Sequence, residues 1–191
     1  MFIRSFTRLA AGFALAAAFA GASFAQSTIL VVDTKKVLKD SLVGQHVARQ
    51  LETIYTSASS EMKAKRSPLE TKAKSLQAQV QSKGSVEAVR ADSALKAQAQ
   101  SLQVDQQKLQ AEEYYTAQEL KITEAKALAQ VSKRLETIIQ QLATERNADV
   151  VLEKSQVIYG TPADVTDVVI SRLNSQMKTV PVTRERLPRK G

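Results

Sequence analysis

The chain has 191 residues, with 27 Lys and Arg against 19 Asp and Glu, and no cysteine. Without cysteine there are no disulfides, no thiolate catalysis and no Cys-based metal sites. The net charge of +8 suits anionic partners, and an aromatic content of 5% leaves little material for one large compact core.

The first 25 residues read as a secretory signal peptide. Arg4 and Arg8 give a positive start, an apolar stretch runs from Leu9 to Phe19, and the small residues of Gly21-Ala22-Ser23-Phe24-Ala25 place cleavage after Ala25. The apolar run is shorter than the about 20 residues a membrane-spanning helix needs. Loss of Arg4 and Arg8 leaves 25 basic and 19 acidic residues, a net charge of +6 on an exported chain.

Residues 26–43 and 148–174 carry the strand signals. Thr28-Ile29-Leu30-Val31-Val32-Asp33 is a short β-branched run that predicts a strand, and 34–41 has Val37 and Leu38 in helical register. Near the other end, Asp149-Val150-Val151-Leu152-Glu153 and Val157-Ile158-Tyr159 predict two more strands. They are joined by a turn at Lys154-Ser155-Gln156 and closed by Gly160. Thr161-Pro162-Ala163-Asp164 reads as a helix start, with Val165, Val168, Val169 and Leu173 as the buried stripe.

Residues 44–147 shift to Gln, Ala, Lys, Glu and Ser with sparse periodic apolar positions. Val47, Leu51, Ile54 and Ala58, then Leu128, Val131, Leu135, Ile138 and Leu142, step by three and four, the spacing of a coiled-coil seam. Lys83-Gly84-Ser85 reads as the reversal, Gly84 capping one helix and Ser85 starting the next. The result is a helical hairpin arm whose return helix ends packed on the body. Ser67-Pro68 interrupts the outgoing helix, either as a stop and restart or as a kink, and in both cases as an arm hinge. The tail, 175–191, is basic, contains two prolines and reads as disordered.

The fold expected is therefore mainly α with a small β body, a long antiparallel coiled-coil arm being inserted into a short sheet-and-helix oligomerisation body. The body totals about 43 residues, below the roughly 60 that usually form an independent core. Its apolar residues, Ile29, Leu30, Val31, Val32, Val150, Val151, Leu152, Val157 and Ile158, are thus expected to be shared between copies. Along the arm, Lys63, Lys65, Arg66, Lys72, Lys74, Lys83 and Arg90 face only Glu70 and Glu87 within 63–90, which predicts a basic tip for acidic proteins or anionic lipid head groups. His46 has no partner set for a metal, and neither a phosphate-binding glycine loop nor a nucleophile arrangement is present. No cofactor and no enzymatic activity are expected.

The two body segments resemble the Skp/OmpH family of periplasmic chaperones. The likeness lies in Ile29-Leu30-Val31-Val32-Asp33, Lys36-Val37-Leu38 and Gly44-Gln45 at one end. At the other it lies in Ala148 to Lys154, Val157-Ile158-Tyr159, Asp164-Val165-Thr166-Asp167 and Leu173-Asn174. The resemblance implies a periplasmic homotrimer with three arms around a cavity. It implies ATP-independent holding of unfolded outer-membrane β-barrel proteins, with no specific nucleic-acid partner. The alternatives from the residues alone are a structural coiled-coil envelope protein and a basic nucleic-acid-binding protein.

Overall fold

A computed structural model describes residues 27–189. The signal peptide predicted over 1–25 lies outside them. The chain runs β1 (Ile29–Val32), α1 (Thr34–Asp40), α2 (Leu42–Ser82), α3 (Val86–Ala91), α4 (Ser93–Glu145), β2 (Val150–Glu153), β3 (Ala163–Asp164) and α5 (Thr166–Gln176). The two long helices, with the short α3 at the turn between them, form the arm, and the other elements gather at its base.

The sheet has the order β2-β1-β3, and both pairings are parallel, Ile29 opposite Val150 and Leu30 opposite Ala163. This corrects the hairpin expected over 149–160. Parallel neighbours need a crossover rather than a tight turn, and β1 to β2 crosses through the whole arm. Lys154–Gln156 is a single 3-10 turn, and Val157-Ile158-Tyr159 is not a strand but loop. The third strand is Ala163–Asp164, placed where a helix start was expected. The helix begins two residues later because the Asp164 Oδ1 accepts from the Thr166 N–H at 2.9 Å.

Side chains on one half of the body cap backbone on the other. The Asp33 N–H donates to Thr166 Oγ1 at 2.9 Å, the Leu42 N–H to Asn174 Oδ1 at 2.7 Å, and the Thr28 N–H to Asp149 Oδ2 at 2.7 Å. Within the first half, Asp33 caps α1 through the Lys36 N–H and Ser41 caps α2 through the Gly44 N–H. The three bonds between the halves join residues more than a hundred positions apart and fix both roots of the arm on one platform.

The core is larger than the 43-residue body. Leu30, Val32, Val37, Val165, Val169 and Leu173 of the body form one cluster with Val43, Val47 and Leu51 of α2 and Ala127, Val131, Leu135, Ile138 and Leu142 of α4. The proximal turns of both arm helices thus belong to the core, as the dense seam at the end of the return helix predicts. A single chain consequently has more core than the 26–43 and 148–174 boundaries allow for.

Helix α2 runs unbroken through Pro68, so the stop and restart at Ser67-Pro68 is not adopted. Proline removes the hydrogen bond to the carbonyl of Ala64, but both residues are exposed, so water can take its place. The arm turns at Gly84, which has φ of 72°. The return is not one helix from 86, because Asp92 ends α3 and caps α4 through the Leu95 N–H at 3.0 Å.

Asp164 also anchors β3. Lys154, then the Thr166 hydroxyl and N–H, hold its carboxyl well below the ordinary value of 3.8, at about 2. A carboxyl lowered on folding stabilises the fold above its ordinary value, and that contribution fades as pH falls through the folded value. The Asp164 and Lys154 side chains are 37% and 55% exposed, so solvent screening limits the contribution to about 1 kcal/mol. Asp164→Asn is therefore expected to cost about 1 kcal/mol in urea melts at pH 6, with the gap to wild type closing toward pH 2. An equal gap at both ends would remove this role.

Of the segment 175–191 expected to be disordered, the described residues 175–189 are ordered. After α5, residues 177–189 run extended along the arm between α2 and α4. Val180 is buried, and Val182 and Leu187 are partly buried. The composition is polar enough for disorder, but the arm supplies acidic partners that a reading of the tail by itself does not include.

Candidate functional site

Three surfaces are candidates: the distal arm and the outer face of the sheet, which carry the residues singled out in the sequence, and the channel occupied by the tail.

On the distal arm, acids of the return helix meet the bases of the outgoing one. Lys65 Nζ lies 2.7 Å from Glu112, Lys72 Nζ 2.8 Å from Asp105 and Lys83 Nζ 2.7 Å from Asp92, and Arg66 pairs with Glu113. The lysine contacts hold the carboxyls of Glu112, Asp105 and Asp92 below their ordinary range. The basic tip is thus not a bare cationic patch. Of the seven residues predicted for it, only Lys63, Lys74 and Arg90 lack an ion pair among the described residues. A count along 63–90 misses this because the compensating charges sit across the hairpin.

Between the helices the seam is thin and leaves open grooves. One of about 390 Å³ is lined by Thr71, Lys72, Leu76, Gln98 and Leu102. A second, of about 340 Å³, lies nearer the body against Tyr55, Ala58, Met62, Thr116 and Leu120. Tyr114 is exposed on the arm, and Tyr115 lies under the Arg189 guanidinium at 4.9 Å from the ring centre. Small apolar floors with mobile polar rims offer many weak contacts.

The nine residues expected to share a core between copies divide by face. Leu30 and Val32 point into the chain's own core, and Val151 packs against it. On the other face, Leu152 and Val157 line an open groove of about 620 Å³ with Ile29, Ile158, Tyr159 and Pro162. Val31 is buried outside the core cluster. Ile29 and Val150 are well exposed, while Ile158 and Tyr159 are 100% and 98% exposed. A loop that presents Ile and Tyr fully to water has not satisfied its apolar surface within its own chain.

The third surface is one the sequence reading missed. Glu119 is completely buried, with its side chain 0% exposed. Arg184 donates to it at 3.0 Å and Arg189 at 2.5 Å, and the Leu187 N–H donates at 3.1 Å. Burial pushes the Glu119 carboxyl up, but Arg189, Leu187 and Arg184 outweigh it and leave the group below the ordinary range. Arg184 also reaches Glu61 at 2.9 Å, where Arg186 joins at 3.3 Å. Backbone contacts complete the fit. Glu185 N–H donates to Thr123 Oγ1 at 2.9 Å, and His46 Nε2 donates to the Val180 carbonyl at 3.1 Å. His46, which had no expected partner, thus belongs to this channel.

A signal for the channel was present. Thr116, Glu119 and Thr123 continue, at spacings of three and four, the buried stripe of Ala127, Val131, Leu135, Ile138 and Leu142. A polar stretch in seam phase needs a polar cover.

The family model described as outer membrane protein (OmpH-like) matches residues 28–173, which is most of the chain and includes both body segments and the whole arm. The chain belongs to the OmpH-like family. No curated protein matches. Among solved structures, a protein from Caulobacter crescentus CB15 assigned as an OmpH-like outer membrane chaperone is similar at 32% identity, with a TM-score of 0.71. The match covers 85% of this chain and 93% of that one. OmpH-like membership fits a sheet-and-helix body with a long helical hairpin, and supports a chaperone role. Among the described residues, no group of three or more His, Cys, Asp or Glu could hold a metal, and no helix is long and apolar enough to cross a membrane.

Proposed function

We propose that this OmpH-like protein is an exported, ATP-independent periplasmic holdase that keeps unfolded outer-membrane β-barrel proteins from aggregating. The observation that carries the reading is the pairing of a fixed body with a long, sparsely packed arm. The body holds both arm roots by side-chain caps between chain ends, while the arm offers shallow grooves and a polar surface. An unfolded barrel strand alternates apolar and polar residues and aggregates through its unpaired edges. Many weak contacts within an enclosure prevent that pairing without trapping the client.

Enclosure needs more than one arm. The exposed apolar loop at Ile158-Tyr159 and the groove beside Ile29 suit contact with further copies, and the family resemblance favours a trimer. Export rests on the predicted signal peptide over 1–25. Lys63, Lys74 and Arg90 remain for acidic clients or anionic lipid head groups. Ser67-Pro68, where α2 lacks the hydrogen bond to the carbonyl of Ala64, is the place where the arm would flex.

Diluting a urea-unfolded barrel protein into buffer with the mature chain, nucleotide absent, tests the reading. Scattered light should stay near baseline at a slight excess of trimer. Aggregation as fast as without the chain would end the holdase reading.

A further inference from the structure

The tail's channel is more than a place to store the chain end. Among the described residues, 177–189 make no hydrogen bond from their own backbone to another backbone beyond the α5 cap at Met177. Side chains of the arm hold them instead: Thr123 and Glu119 accept from the N–H groups of Glu185 and Leu187, and His46 and Gln130 donate to the carbonyls of Val180 and Pro181. Val180 and Val182, two apart, turn inward with exposed Pro181 and Thr183 beside them, and Arg184 follows in the same alternation. This is how an extended peptide lies in a groove.

The groove's anchor depends on its occupant. Among the described residues, every polar partner of the Glu119 carboxylate comes from the tail: Arg184, Arg186, Arg189 and the Leu187 N–H. A buried ion cluster is a poor choice for simple fastening, since apolar residues of similar volume usually stabilise as well or better. It does confer selectivity, because an extended segment lacking a cation would leave Glu119 buried and unpaired. Among the described residues Arg184 Nε is buried without a partner, so the channel does not satisfy the tail fully.

We infer that the α2–α4 channel around Glu119 is an extended-peptide site, that residues 179–189 are its resident and displaceable occupant, and that its other ligand is an extended client segment with alternate apolar residues and an arginine or lysine. The inference rests on the chaperone reading for the client's identity, but not for the groove. In it the tail covers the channel when no client is present. An incoming strand of the same pattern takes its place by competing for Glu119, Thr123 and His46.

A specific protease site inserted after Lys178 of the full-length chain allows the tail to be cut once the protein has folded. The probe is a fluorescein-labelled peptide with the sequence of residues 179–191, followed by anisotropy. The cut and washed chain should bind it saturably, the intact chain at least about tenfold more weakly, and Glu119→Gln in the cut chain should lose most of the binding. A urea-unfolded barrel protein should displace the peptide. If the cut chain loses its helical circular dichroism, the intact chain with Arg184→Ala and Arg189→Ala replaces it, and should gain peptide binding over wild type. Equal binding by loosened and intact chains, or none by either, overturns the peptide site. Suppression of aggregation without peptide displacement overturns the client's use of the groove but leaves the holdase reading standing. Peptide binding without suppression does the reverse.

Discussion

Replacing Gly44 by alanine should destabilise the protein by about 3 kcal/mol, although helix propensity alone would favour alanine by about 1 kcal/mol. The two effects have opposite signs, so a thermal melt decides between them. Gly44 lies in the first turn of α2, where a Cβ would sit 1.6 Å from the carbonyl oxygen of Leu38 in α1. That oxygen is backbone, and no side-chain rotation relieves the overlap. Either α1 moves off α2 or the Ser41 cap on the Gly44 N–H at 3.1 Å is lost. Both changes disturb Val37 and Val43, which are fully buried. For a chain of this size the loss corresponds to a fall in melting temperature of about 6–12 °C. Gly84 is the matched control. It too is a helix-end glycine, with φ of 72° but nothing within 4 Å of a built Cβ, so alanine there should cost only about 1 kcal/mol for the left-handed backbone. Gly44→Ala melting at or above wild type would mean that α1 and α2 do not approach so closely.

Gly44 also shows what kind of information the sequence held. Elements defined by their own periodicity were legible. The strand at Ile29–Val32, the stripe of α5 and the seam from Val131 to Leu142 are all set by the spacing of their own apolar residues. What the sequence did not disclose depends on partners distant along the chain. Val157-Ile158-Tyr159 has strand composition but faces solvent, because β1 is flanked by β2 and by Ala163–Asp164. The distal bases looked unopposed because Asp92, Asp105, Glu112 and Glu113 meet them only once the hairpin sets its register. The tail looked disordered because its cations were counted without Glu61 and Glu119. In each case the local pattern was real, and a contact across the hairpin or the body decided its meaning.

The exposed loop makes the second strong expectation. Ile158→Asp together with Tyr159→Asp should turn the trimer proposed above into a folded monomer. Both side chains are essentially fully exposed in the single chain, so neither change removes a contact from its core, and melts at low concentration should be nearly unaltered. In an assembly that covers the loop, full burial of two such side chains is worth about 3 kcal/mol or more, and carboxylates in their place would be desolvated without partners. An interface losing about 3 kcal/mol weakens roughly a hundredfold. Sedimentation at micromolar concentration should therefore show the variant at monomer mass where the wild type is larger. Because a lone arm encloses nothing, the same variant should also fail to suppress aggregation at equal arm concentration. Unchanged mass would mean that the apolar loop meets something other than a second copy. Monomeric variant that still protects clients would place holding in each arm alone, and the exposed groove of the body would then have no part in it.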